Sequence, residues 1–176
     1  MTNILSPGHP GWHLAQCNIG RLIAPPGDPL IAGFEAELDR INEIADQSPG
    51  FVWRLKGESN NAMALAPTPD PQVVLNMSVW TDAESLFEFV YRSAHTPIMG
   101  RRREWVEKWD GPYQALWWIE AGTIPTIDDA LARLWLLDRY GPSARAFTFK
   151  ARFPSPDVGG GVPVDMHPDP WCVGRA

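Results

Sequence analysis

Residues 72–80, QVVLNMSVW, place Val73, Leu75, Met77 and Val79 on one side of an extended chain and Asn76, Ser78 and Trp80 on the other. That period of two is what a β-strand imposes on its side chains. One face is wholly apolar and has to be covered; the opposite face mixes amide, hydroxyl and indole groups. Thr81 follows at once, with Glu84 three residues on, a capping box that starts a helix carrying Leu86, Phe87, Phe89 and Val90. A strand that turns directly into an amphipathic helix points to a fold in which helices lie on a sheet.

The same reading extends in both directions. In WHLAQCNI, residues 12–19, His13, Ala15, Cys17 and Ile19 alternate with Leu14, Gln16 and Asn18, so a strand is expected, and APPGDP after it is a turn. From Pro29 to Asp46 the apolar residues Phe34, Leu38, Ile41 and Ala45 recur at helical spacing, with acidic residues mostly on the remaining arc. FVWRL at 51–55 reads as a second strand, and residues 57–71 as a loop in which AMALA is a candidate strand segment. Thr96 and Pro97 repeat the helix-start signal, which divides the second helical region at His95. YQALWWIEA is a further strand, a helix capped by Thr126 is stopped by Gly141 and Pro142, and AFTFKARF is a short final strand.

Strand, helix, strand, strand, helix, strand is the split βαβ order, so the chain is expected to be α+β: a ferredoxin-like antiparallel sheet with helices on one face. A sheet covered on one face needs something on the other, and a second subunit would close a dimeric α+β barrel, so a homodimer is expected. Residues 1–150 read as one domain. Residues 151–176 are too rich in Gly and Pro for regular structure and read as a tail or an arm.

The 176 residues, 44% of them hydrophobic, suffice for one domain with a real core. A net charge of -6 disfavours a nucleic-acid or anionic-membrane surface, and no run of apolar residues is long enough for a membrane span. Two cysteines without CxxC spacing give neither a disulfide framework nor a metal site, and the first twelve residues lack an export signal, so a cytoplasmic protein is expected. Asp165, His167, Asp169 and Cys172 near the end are metal-binding types whose spacing fits no familiar site, so no metal is expected.

The blocks HLAQCNIGRL, SPGFVWRL, LNMSVWTDAESLFEFVYRSAH, RRREWVEKWD, LWWIEAGTIPT and YGPSARAFTF, spread over residues 12–150, resemble those of a family of uncharacterised bacterial proteins, DUF3291. That family looks like a branch of the dimeric α+β barrel superfamily. The superfamily includes cofactor-free antibiotic-biosynthesis monooxygenases, haem-degrading enzymes and small-molecule isomerases. The resemblance implies the same fold but transfers no catalytic motif.

The candidate site therefore comes from the strand faces. If Val73, Leu75, Met77 and Val79 pack on the helices, Asn76, Ser78 and Trp80 point into the barrel, with Gln16 and Asn18 beside them and Trp53 or Arg54, and Trp117 or Trp118, completing the wall. Alternatively, the amides hydrogen-bond one another across strands in a filled barrel. His95 has three readings: a general base with a pKa suited to neutral pH, an axial haem ligand, or a structural cap at the helix break. Of the consecutive Arg101, Arg102 and Arg103, Arg102 shares a helical face with Ile98, Trp105 and Trp109 and is the candidate to hold a carboxylate or haem propionate, or else to pair with a nearby acid.

Two functions follow as expectations. One is an enzyme that oxygenates, isomerises or cyclises an aromatic or polyketide-like metabolite without a cofactor, with His95 as base and Asn18 and Asn76 orienting an oxygen. The other is a non-catalytic protein that binds haem or another hydrophobic ligand.

Overall fold

The structure, a computed structural model, describes residues 11–58, 61–93, 96–158 and 164–165. Its elements in chain order are β1 (Trp12–Arg21), α1 (Ala32–Asp46), β2 (Phe51–Arg54), β3 (Val73–Trp80), α2 (Ala83–Arg92), α3 (Thr96–Gly100), β4 (Gln114–Glu120), α4 (Ile127–Tyr140), β5 (Ala151–Arg152) and β6 (Val164–Asp165). The main sheet is ordered β2-β3-β1-β4 with every neighbouring pair antiparallel. That order, with α1 and α2 as crossovers, is the ferredoxin-like unit expected from the sequence. No helix among the described residues is long and apolar enough to cross a membrane.

Alternation divides the sheet into two unlike faces. Ala15, Cys17, Ile19, Val73, Leu75, Met77, Val79, Ala115 and Trp117 form the first, and α4 covers it with Ala130, Leu134 and Leu137. Leu14, Trp80 and Leu116 belong to the second, where they pack with Ala45 of α1, with Ala83, Leu86 and Val90 of α2, and with Phe147, Phe149 and Phe153. The helices of the ferredoxin-like unit thus share one face, but the apolar stripe of β3 packs on α4, not on them. The sheet face that alternation left open to a second copy is covered by this chain itself.

Cap chemistry sets the helix ends. Thr126 caps α4 as expected, and Asp129 completes a capping box with it, each side chain bonding the other's backbone N–H. For α2, Asp82 and not Thr81 is the cap, accepting from the Ser85 N–H at 2.7 Å, and Thr81 donates its hydroxyl to Asp82. Residues 61–72 contain no strand. The AFTFKARF stretch is only partly extended: Phe147 exchanges backbone hydrogen bonds with Leu116 at 2.8 and 2.9 Å, and a turn then leads into the short β5. Beyond residue 150 the chain still packs. Phe153 and Ser155 are buried, and Arg152 reaches Glu84 at 3.3 Å.

Two measurements test this arrangement. Phe147 is fully buried, so Phe147→Ala should cost about 3–5 kcal/mol in urea unfolding; a loss under about 1 kcal/mol would mean that the segment after α4 is not part of the core. Burial pushes the Cys17 thiol up to about 12, so at pH 8.5 iodoacetamide should leave Cys17 unmodified in the native protein and label it in urea, as read by peptide mass spectrometry.

Candidate functional site

On the second face, β1 and β3 pair Gln16 with Ser78 and Asn18 with Asn76, while β1 and β4 pair Asn18 with Gln114. Five polar side chains therefore lie side by side in the middle of a sheet. Part of this set is closed on itself. Asn18 Nδ2 donates to Gln16 Oε1 at 2.9 Å, Gln16 Nε2 donates to Ser78 Oγ at 2.8 Å, and Trp80 Nε1 donates to the same hydroxyl oxygen at 2.8 Å. Gln16, Ser78 and Trp80 are buried. Trp80 is stacked on Phe89 at 5.0 Å and meets the edge of Phe51 at 5.5 Å, so it belongs to the core beneath the site and does not line it.

Asn76 differs. It sits on an internal strand, yet it is exposed and makes no side-chain hydrogen bond among the described residues. The placement of α1 explains the opening. Phe34 near its start and Val74 of β3 both pack against the cluster of Leu22, Ala24 and Ile31, and Ala45 near its end shares a buried cluster with Trp80. Val74 and Trp80 are six residues apart on β3, about 20 Å, with Asn76 and Ser78 between them. Between the two anchors Leu38 and Ile41 remain only half-buried. Arg54, buried on β2, holds the α1 end through Asp46, with Nε to Oδ1 at 2.7 Å and Nη2 to Oδ2 at 3.1 Å. The exposed Asn76 and the half-buried Asn18 beside it thus form the amide floor of an open cleft on the face that carries α1. Beside the middle of α1 a groove of about 280 Å³ opens between Leu38 and Glu35 on one side and Asn61 and Met63 on the other.

Arg102 lies over Gly20, two residues beyond Asn18 on the same strand face. The helix expected through the arginines is instead the short α3 and a 3-10 turn, Arg102–Glu104. This separates the three side chains. Arg101 pairs with Glu104 at 2.9 Å and lies over Trp105, and Arg103 is exposed. Arg102 turns inward, 4.6 Å from the centre of the Tyr113 ring, with Nη2 donating to the Ile19 carbonyl at 3.4 Å. It has no carboxylate partner among the described residues, and burial holds its guanidinium below the ordinary arginine range. Gly20 makes this seat possible: a Cβ there would come within 3.2 Å of Arg102 Nη2 and 2.8 Å of Val106 Cγ1.

The remaining expected residues are elsewhere. Trp53 pairs with Val79 and packs on the α4 face, so it cannot line the cleft: the alternation of β2 sends its neighbour Arg54 to the cleft face instead. Trp118 is on the cleft face, but its Nε1 donates to the Phe153 carbonyl at 2.8 Å and ties down the segment after α4. His95 lies outside the described residues, as do His167, Asp169 and Cys172. Gln114 is the residue that sequence reasoning missed. It is 8% exposed, and its Oε1 is buried without a hydrogen-bond partner. Its position opposite Asn18 was available only through the strand register.

Haem does not fit the described part of the cleft. His13 is on the α4 face by alternation, paired with Ile119, so it cannot reach an iron held over Asn18 and Asn76. No group of three or more His, Cys, Asp or Glu among the described residues is arranged to hold a metal.

A family profile described as a domain of unknown function, DUF3291, matches residues 13–160. No curated protein sequence matches. Among solved structures, the chain is similar to SnoaB, a cofactor-independent oxygenase from Streptomyces nogalater, at 18% identity over 65% of this chain and 98% of that one, with a TM-score of 0.41. It is also similar to PA3566 from Pseudomonas aeruginosa, at 12% identity over 67% and 100% of the two chains, TM-score 0.42. A protein of unknown function from Nitrosomonas europaea, NE2512, has 14% identity over 67% and 99%, TM-score 0.42.

Ser78→Ala tests the closed part of the network. It strips the acceptor from both Gln16 Nε2 and Trp80 Nε1, so unfolding should become easier by about 1–3 kcal/mol. A change below about 0.5 kcal/mol would show that these donors find other acceptors.

Proposed function

Because the chain belongs to the DUF3291 family, whose description assigns no activity, we propose its function from the cleft: it is a small-molecule enzyme that takes a planar organic substrate between α1 and the sheet. The observation that carries this reading is the exposure of Asn76 on an internal strand beside Asn18. Leu38 and Ile41 supply an apolar surface for a ring, and the free amide N–H groups lie where an oxygen on that ring would rest.

Oxygenation, isomerisation or cyclisation of an aromatic or polyketide-like metabolite without a bound cofactor shares one first step that such a cleft can promote. A proton leaves a carbon or hydroxyl of the substrate, and negative charge builds on a conjugated oxygen. Asn18 keeps one N–H after bonding Gln16, and Asn76 keeps both, so their donors stabilise that oxyanion. His95 is the base in this reading. A second reading is a ligand-binding protein without turnover, supported by the floor of the cleft: Gln16, Asn18, Asn76, Ser78 and Gln114 are all too weakly basic to take a proton at neutral pH. The cleft is built from one chain, so it does not depend on the homodimer expected from the sequence, which light scattering measures separately.

The test is a screen of phenolic and 1,3-dicarbonyl compounds for product formation and oxygen uptake. With a turned-over compound in hand, Asn76→Ala should lower kcat by about 10²–10³ at unchanged thermal stability, and His95→Ala should abolish the acidic limb of the pH profile, the loss of rate as the base is protonated. Tight binding of such compounds with no product would select the ligand-binding reading. Unchanged turnover in both variants would remove the cleft from the chemistry.

A further inference from the structure

We infer that the ligand of this cleft carries a carboxylate, and that Arg102 is the residue that holds it. The inference rests on the cleft as the binding site and names the class of molecule it takes.

Three observations converge on Arg102. Its guanidinium lies directly over Gly20 of β1, with Nη2 at 3.2 Å from where a Cβ would be. Gly20 follows Asn18 by two residues on the same face, about 7 Å along the strand, so the cation borders the amide floor. Five N–H donors in a planar fork are available, and the Ile19 carbonyl takes one of them at the long distance of 3.4 Å. The other arginines around it are served differently: Arg101 has Glu104, Arg21 has Asp70 and Glu107, and Arg54 has Asp46. Arg102 alone among these four is half-buried over a ring with no acid beside it.

A guanidinium taken from water without a counter-ion is costly, and natural sites compensate it with a carboxylate or phosphate. The strand at Gly20 and the Tyr113 ring flank the guanidinium, so the compensation is sought on the cleft side. A carboxylate matches the fork in two parallel hydrogen bonds and leaves its attached ring over Asn18 and Asn76, below Leu38 and Ile41. Gly20 is required for this, since any larger residue would lift the guanidinium off the strand.

Benzoate and benzamide have the same shape and differ in charge, and NMR titration of the full-length protein with each separates the possibilities. Benzoate should move the Arg102 Nε–H and the Asn18 and Asn76 side-chain NH2 resonances, and should bind at least about tenfold more tightly than benzamide, the worth of a charge-assisted bond. In Arg102→Gln, benzoate should fall to the affinity of benzamide while benzamide is unchanged. Gly20→Ala, which retains Arg102, should lose the same preference, and Arg102→Lys should retain part of it, which guards against a variant that fails to fold. Equal binding of the two probes by the wild-type protein, with cleft resonances moving, would overturn the carboxylate and leave the proposed function standing. A benzoate preference that persists in Arg102→Gln would place the anion elsewhere and overturn it as well. If neither probe moves the cleft resonances, the inference and the proposed function both fall.

Discussion

The register between β1 and β3 governs the rest of this protein. Pairing Gln16 with Ser78 and Asn18 with Asn76 collects the polar side chains of two central strands on one face, and leaves Cys17, Ile19, Leu75 and Met77 on the other. A slip of one residue would send the amides under α4 and the aliphatic residues into the cleft. Burying the amides without partners would cost more than the network of Gln16, Ser78 and Trp80 returns, so packing and hydrogen bonding select the same register.

From that division comes the difference between the helices. Helix α4 lies on an apolar surface and buries Ala130, Leu134 and Leu137 against it. Helix α1 lies over a polar surface and cannot do so. It is held at its ends by Phe34, Ala45 and the Asp46–Arg54 pair, while Leu38 and Ile41 in its middle stay half-buried and Asn76 stays exposed. A polar floor under an apolar helix keeps a space open that matching surfaces would close. Arg102 on that face, and Gln114 with its unpartnered oxygen beside Asn18, are two of the places among the described residues where polar demand is left unmet.

The likeness to DUF3291 and the ferredoxin-like order were legible in the sequence because both depend on local patterns: alternation in residues 12–19 and 72–80, helical spacing from Phe34 to Ala45, and the Thr126 cap. Gln16, Asn18, Asn76 and Ser78 were placed on one face by parity alone. Trp53 was misplaced because parity on a short strand is undefined until its pairing partner is known, and Val79 is that partner. Trp80 and Trp118 have the right face and the wrong surroundings: Phe89 and Phe51 bury the first, and the Phe153 carbonyl occupies the second.

What the sequence by itself determined is therefore the set of elements, their order, and the chemistry of each strand face, since these follow from neighbours two to four residues apart. Which face α4 would cover, which strand amide would stay exposed, and which of three consecutive arginines would turn inward were decided only by tertiary structure. Those outcomes depend on contacts between residues far apart in the chain. Gly20 and Arg102, and the Cys17 thiol and the Ala130 carbonyl that accepts from it, meet only once the sheet has formed.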